Sequence, residues 1–241
     1  MDRMTFGAQS MTLAWQTIWT PDRAFGSFGE RPSWLALFVL LCLANTAFST
    51  IMFPYAERAA ITQLEARTPS RALDADQQGQ VRRQVLIGER VGMLVGPIFL
   101  LMKWAAVAAV FWAIAVLAGR DVPFPRLLAM VMYASIPLML GSFFGYGIVM
   151  AKGIDAIHSL RDLKPLIGLN AFVQEQGAAI DAALSSINVF DAWYVVLLAI
   201  GLRQVGTFGR KTAIGVALGF WVAATSVQIA LASVAASLMA I

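Results

Sequence analysis

MLVGPIFLLMKWAAVAAVFWAIAVLA, residues Met93 to Ala118, holds one charge, Lys103, in 26 positions. About 20 apolar residues carry a helix across a hydrocarbon core about 30 Å thick, and a helix apolar on every face belongs in a membrane or a very large core. Three further stretches have the same character: Trp34 to Tyr55, Leu127 to Met150 and Ala213 to Met239. Between Asp191 and Arg203 lie only eleven uncharged residues, Ala192 to Leu202. That stretch crosses only if Arg203 snorkels and the helix runs on toward Phe208, and the alternative is a re-entrant or internally buried segment. Counting it, the sequence specifies an all-α, polytopic bundle of five spans.

The rest of the composition agrees. Hydrophobic residues make up 59% and charged residues 13% of 241, with mean hydropathy +0.71, against about 45–50% and about 25% in soluble domains. The net charge of +4 is scattered near span ends, so nucleic acid is not an expected partner. One cysteine, Cys42, allows no internal disulfide. The first apolar run begins only near Trp34 and is too long for a signal peptide, so the spans themselves are expected to direct insertion. With the N-terminus inside, eight basic residues (Arg3, Arg23, Arg31, Arg120, Arg126, Arg203, Arg210, Lys211) face four acidic ones there, whereas the outside loops carry nine basic and ten acidic. The basic excess puts the N-terminus in the cytoplasm and the C-terminus outside.

Residues 1–33 are expected to form a cytoplasmic, interfacial helical segment, and 34–241 the five-span domain. Met11, Trp15, Ile18 and Trp19 share a helical face, with Trp15 and Trp19 as interfacial anchors, and Thr20-Pro21-Asp22 has the pattern of a second helix start. Residues 57–92 read as two charged helical extensions broken at Thr68-Pro69, the second beginning near Asp74. Val173, Ile180, Leu184 and Ile187 suggest a short amphipathic helix on the outer surface.

Catalytic signatures are missing. The one histidine, His158, has no partners in sequence for a triad or metal site and reads as a solvated loop residue. Gly206-Thr-Phe-Gly-Arg-Lys-Thr212 lacks the spacing of a phosphate loop and reads as a tight basic turn. No enzyme activity, cofactor or metal is expected. Polar residues do occur at membrane depth: Lys103, Asn45, Ser135 and Gln228. Pro137 should kink the third span and free the Tyr133 carbonyl, which makes Tyr133 a fifth member of a candidate intramembrane polar site. That site is either functional or a hydrogen-bonded packing cluster. Gly141 and Gly145, and Gly215, Gly219 and Ala223, form small-residue faces that let helices approach.

Taken in order, Trp15-Gln-Thr-Ile-Trp-Thr-Pro21, Arg31-Pro32-Ser-Trp34, Tyr133-Ala-Ser-Ile-Pro137, Phe190-Asp-Ala-Trp193, Gly201-Leu202 and Lys211-Thr-Ala213 resemble bacterial Yip-domain (Ypt/Rab-interacting protein) membrane proteins. The resemblance implies a five-span bundle in a bacterial inner membrane with a cytoplasmic N-terminus. Eukaryotic members are associated with Rab GTPases and carry a long acidic arm; only about 33 residues precede the first span here, so a Rab-type partner is not expected. The expected partners are membrane lipids and other membrane proteins, a second copy included. The expected role is a non-enzymatic membrane-organising or partner-binding scaffold; the alternative is a small transporter or channel working through Lys103.

Overall fold

The computed structural model describes residues 6–29, 32, 34–67, 74–160, 162–164, 166–173 and 177–239, and these contain helices and no strand. The helices are α1 (Phe6–Trp19), α2 (Pro21–Gly26), α3 (Leu35–Arg67), α4 (Ala75–Leu117), α5 (Phe124–Ala134), α6 (Ile136–Lys152), α7 (Ala178–Ser185), α8 (Val189–Gln204) and α9 (Arg210–Met239). Among the described residues four stretches are long and apolar enough to cross a membrane: Leu35–Ala66, Ala75–Leu117, Phe124–Lys152 and Arg210–Val234. The pair α7 and α8, bent by 56°, passes the same test only when its two helices are taken together, as a broken span or a re-entrant loop. With 16 residues, α8 is about 24 Å long, which explains why the fourth segment looked short: it is broken.

Two compact units make up the chain, one of residues 1–38, 103–140 and 166–241, the other of 39–102 and 141–165. In the first, every residue from 127 to 137 is buried, so this part of the third span is its axis. Around it, α4 turns in Trp104, Ala108, Phe111 and Ala115, a spacing of four, three and four that keeps one helical stripe inward. Through Tyr194, Leu197, Leu198, Gly201 and Leu202, α8 joins the same core. By contrast only 6% of the apolar window of α9 is buried, against 67% for the third span. This marks α9 as a peripheral helix whose outer faces suit lipid.

The helix is interrupted at Ser135, two residues before Pro137, between α5 and α6. A backbone N–H at this cap reaches the Tyr133 carbonyl, so the acceptor that proline would orphan is satisfied locally.

In the second unit, Phe48 stacks on Phe143 at 4.2 Å between ring centres. Met52, Ala59, Val149 and Ile157 form its buried core, packed by Tyr55, Tyr146 and Leu163. Gly141, Gly145 and Val149, four residues apart, are buried, as a small-residue packing face requires. With 33 and 43 residues, α3 and α4 run about 50 and 64 Å, far beyond one hydrocarbon thickness. Their charged ends therefore leave the membrane as helix, where Arg82 pairs with Glu57 at 3.5 Å. The expected break at Thr68-Pro69 lies outside the described residues, as do Arg3 and Arg31.

Two expectations need correction. Helix α7 covers only Ala178–Ser185; Val173 and Ile187 fall outside it, and Val173, Ile180 and Ile187 are exposed. And α9 packs within the chain through Ala213 and Ala217, while a methyl added at Gly215 or Gly219 would meet nothing within 4 Å. The glycine face points outward because the alanine face already supplies the close approach.

Candidate functional site

Two groups of residues stand out in the first unit. One is a cap built on the ends of the bundle by α1 and α2. Pro21 opens α2, its fixed φ suited to a first helical position, and the Thr20 carbonyl accepts the Arg23 and Ala24 N–H groups at 3.0 and 3.1 Å. Phe25 and Phe28 are buried; Phe28 meets the Tyr133 ring edge-on at 5.4 Å. Polar contacts then tie the cap to two helix ends, and a third set ties the turns beside it to each other. Arg203 and Gln204 donate to the Asp22 carboxylate at 2.6 and 3.0 Å. Arg126 donates to the Phe28 carbonyl at 3.1 Å. Arg120 donates to the carbonyl and hydroxyl of Thr207 and lies over the Phe208 ring at 4.9 Å. Residues 205–209 are thus the tight turn expected there, with Thr207 at positive φ.

The orientation of α1 is unusual for a helix docked on protein. Its inward face is two hydroxyl residues about one leucine: Ser10, Leu13 and Thr17 are buried, Thr17 donates to the Leu13 carbonyl at 2.8 Å, and Tyr133 donates to the Ser10 carbonyl at 3.5 Å. Its large apolar side chains point away, with Met11, Trp15 and Trp19 exposed by 55%, 65% and 66%. The two indoles lie 5.7 Å apart.

The second group is polar and lies at membrane depth. Lys103 follows Arg90 by thirteen residues and precedes Leu117, the last residue of α4, by fourteen, about 20 Å from each. It is exposed. The group within its electrostatic reach is Asp191, about 18 Å along α8 from Arg203. Asp191 sits at the break: Asn188 caps α8 by accepting the Phe190 and Asp191 N–H groups, both at 2.9 Å. The Asn188 amide donates in turn to the Ser185 carbonyl at 2.9 Å and to the Asp191 carboxylate. The Trp221 indole N–H is buried beside the same carboxylate without closing a hydrogen bond.

The sequence-expected site residues are therefore distributed. Ser135 is buried and donates to the Met132 carbonyl at 2.8 Å. Tyr133 belongs to the cap. Gln228 is exposed on α9, and Asn45 is exposed on α3 in the other unit. Among the described residues Lys103 makes no hydrogen bond to Ser135, Tyr133 or Gln228. The residue that sequence reasoning passed over is Asp191, read there only as the edge of a span. Asn188-Val-Phe-Asp191 has capping-box spacing, the one signal that could have placed a helix start, and hence an acid, within the crossing.

The Yip1 domain family model matches residues 15–232. The chain belongs to the Yip1 domain family. The match begins within α1 and ends near the end of α9. A further relative is the "Membrane protein YknW" of Bacillus subtilis (strain 168), 21% identical over 197 residues, covering 80% of this chain and 78% of the relative. No solved structure matches the chain. As a Yip1-domain protein with several membrane-length apolar helices, it is an integral membrane protein.

Proposed function

We propose that this Yip1-domain protein is a non-enzymatic scaffold of the bacterial inner membrane that organises lipid and partner membrane proteins, with its N-terminus cytoplasmic and its C-terminus outside. The observation that carries the reading is the orientation of α1. Its Ser10, Leu13 and Thr17 face is spent on the bundle, and its Met11, Trp15 and Trp19 face is presented outward, as an interfacial helix requires. The outward Gly215, Gly219 and Ala223 face of α9 supports a second copy or another membrane helix as a partner.

The experiment is co-purification from native membranes, with mass spectrometry of bound proteins and lipids, for the parent and for the Trp15→Ser/Trp19→Ser double variant. The bound set should shrink in the variant while its helical content is kept. Identical sets would remove α1 from the scaffold. A second reading, as a small transporter or channel, is favoured by Asp191 beside Lys103. Solute flux in proteoliposomes that Asp191→Asn abolishes would replace the scaffold with it.

A further inference from the structure

Interfacial helices ordinarily carry Lys and Arg on their own polar face, and α1 carries no charge at all. Its outward Met11, Trp15 and Trp19 supply apolar area without electrostatic attraction. Charges that supply the attraction stand beside α1 in the same compact unit, on α2 and at the α4/α5 and α8/α9 turns. Among the described residues there, six are basic (Arg23, Arg120, Arg126, Arg203, Arg210 and Lys211) and two are acidic (Asp22 and Asp121).

Three of the six are engaged within the protein: Arg203 with Asp22, Arg126 with the Phe28 carbonyl and Arg120 with Thr207. The side chains of Arg23, Arg210 and Lys211 are exposed and make no hydrogen bond or ion pair among the described residues. Two sets of bonds bring these three to one level. Asp22, next to Arg23, holds Arg203 and Gln204 at the end of α8. The Phe208 N–H donates back to the Leu202 carbonyl at 3.2 Å, so the turn folds on itself and Arg210 opens α9 level with the end of α8. Trp19 closes α1 four residues before Arg23, with its ring 5.7 Å from that of Trp15. The indoles and the free cations thus lie at the same end of the unit.

We propose that the outward face of α1 and the cations Arg23, Arg210 and Lys211 form one composite surface that gathers anionic phospholipid from the surrounding bilayer. This rests on reading α1 as interfacial and adds which lipid it selects. One occupant answers both halves of the surface. The indoles need an apolar layer bordered by a polar one, which a bilayer interface supplies. The cations need uncompensated negative charge at the level of that border, which anionic headgroups supply. A zwitterionic headgroup carries an amine that cancels its phosphate, so it satisfies the indoles alone.

The test replaces Trp19 with the photoreactive residue p-benzoylphenylalanine, an aromatic for an aromatic, in the full chain. The protein is reconstituted in vesicles of equal parts phosphatidylglycerol and phosphatidylethanolamine and irradiated, and its adducts are weighed. Phosphatidylglycerol adducts should exceed phosphatidylethanolamine adducts by about five-fold, the ratio that one surface cation supplies. The Arg23→Gln/Arg210→Gln/Lys211→Gln variant should capture the two lipids equally with its helical content kept. Salt at about 1 M, where the screening length falls to about 3 Å, should flatten the ratio in the unchanged chain, which keeps the test independent of the variant's folding. Abundant but equal capture of the two lipids by the parent overturns the proposal and leaves α1 interfacial. Chain-to-chain adducts in place of lipid adducts overturn both readings. A preference that survives in the folded triple variant, or in high salt, overturns the role of the three cations and the proposal with it.

Discussion

Asp162, in the loop after α6, is pushed up by partial burial, but more is set against it. The His158 and Ser159 N–H groups donate to it at 2.9 and 2.8 Å and the Ser159 hydroxyl at 3.2 Å, and the charge on His158 adds to them. Its carboxyl is held below the usual carboxylate range. A lowered value in the folded chain means the stabilisation is complete above the ordinary carboxylate range and is lost as pH falls through the lowered value. Protection of the Ser159 amide should therefore persist into mildly acid solution and then fall. Asp162→Asn should lose this acid step; an unchanged step would assign it to another group. The sequence makes His158 legible as a solvated loop residue, and it is exposed. Nothing in a local pattern shows that its backbone N–H has a carboxylate four residues on. Asp191 was illegible for a related reason. A charge beside an apolar run ordinarily marks where the run leaves the membrane, and here it stands in the first turn of a helix capped by Asn188.

Between helices, Gly201 sets how closely α8 lies on α5. A methyl built there would fall 2.5 Å from Met130 Cγ and 2.8 Å from its Sδ, with the Phe25 ring at 3.7 Å. Gly201→Ala should destabilise the folded bundle by about 1–3 kcal/mol, the usual cost of overpacking, read as a lower unfolding temperature in detergent. Gly215→Ala, facing open space, should leave that temperature unchanged or raise it slightly, since alanine is the better helix former. Equal effects of the two would mean that α8 has room to shift. Small-residue spacing made close packing legible in both the third and the fifth span, yet it could not say which face is used. On α9, alanines at 213 and 217 and glycines at 215 and 219 alternate as close-approach faces, and only tertiary packing chooses between them.

For the whole molecule, the spans were legible because lipid demands length and apolarity at once, and both are countable in a sequence. The bend of the fourth crossing was not, because its two halves, α7 and α8, are each too short to register. The geometry of the cap bears on sidedness. Arg126 holds Phe28, Arg203 holds Asp22 and Arg120 holds Thr207, so the N-terminal helices, the α4/α5 turn and the α8/α9 turn share one side. Where the third span crosses, the chain has to return between these two turns, and α7 with α8, which pass the length and apolarity test only as a pair, is the segment that lies there. The basic residues at these turns favour the cytoplasm. A reporter active only in the cytoplasm should therefore work when inserted at Gly209 and fail when fused after Ile241, and a reporter active only outside should do the reverse. Cytoplasmic activity at both positions would show that α9 does not emerge. Activity outside at Gly209, with the cap residues intact, would turn the whole bundle over and place the Trp15 and Trp19 face on the outer leaflet.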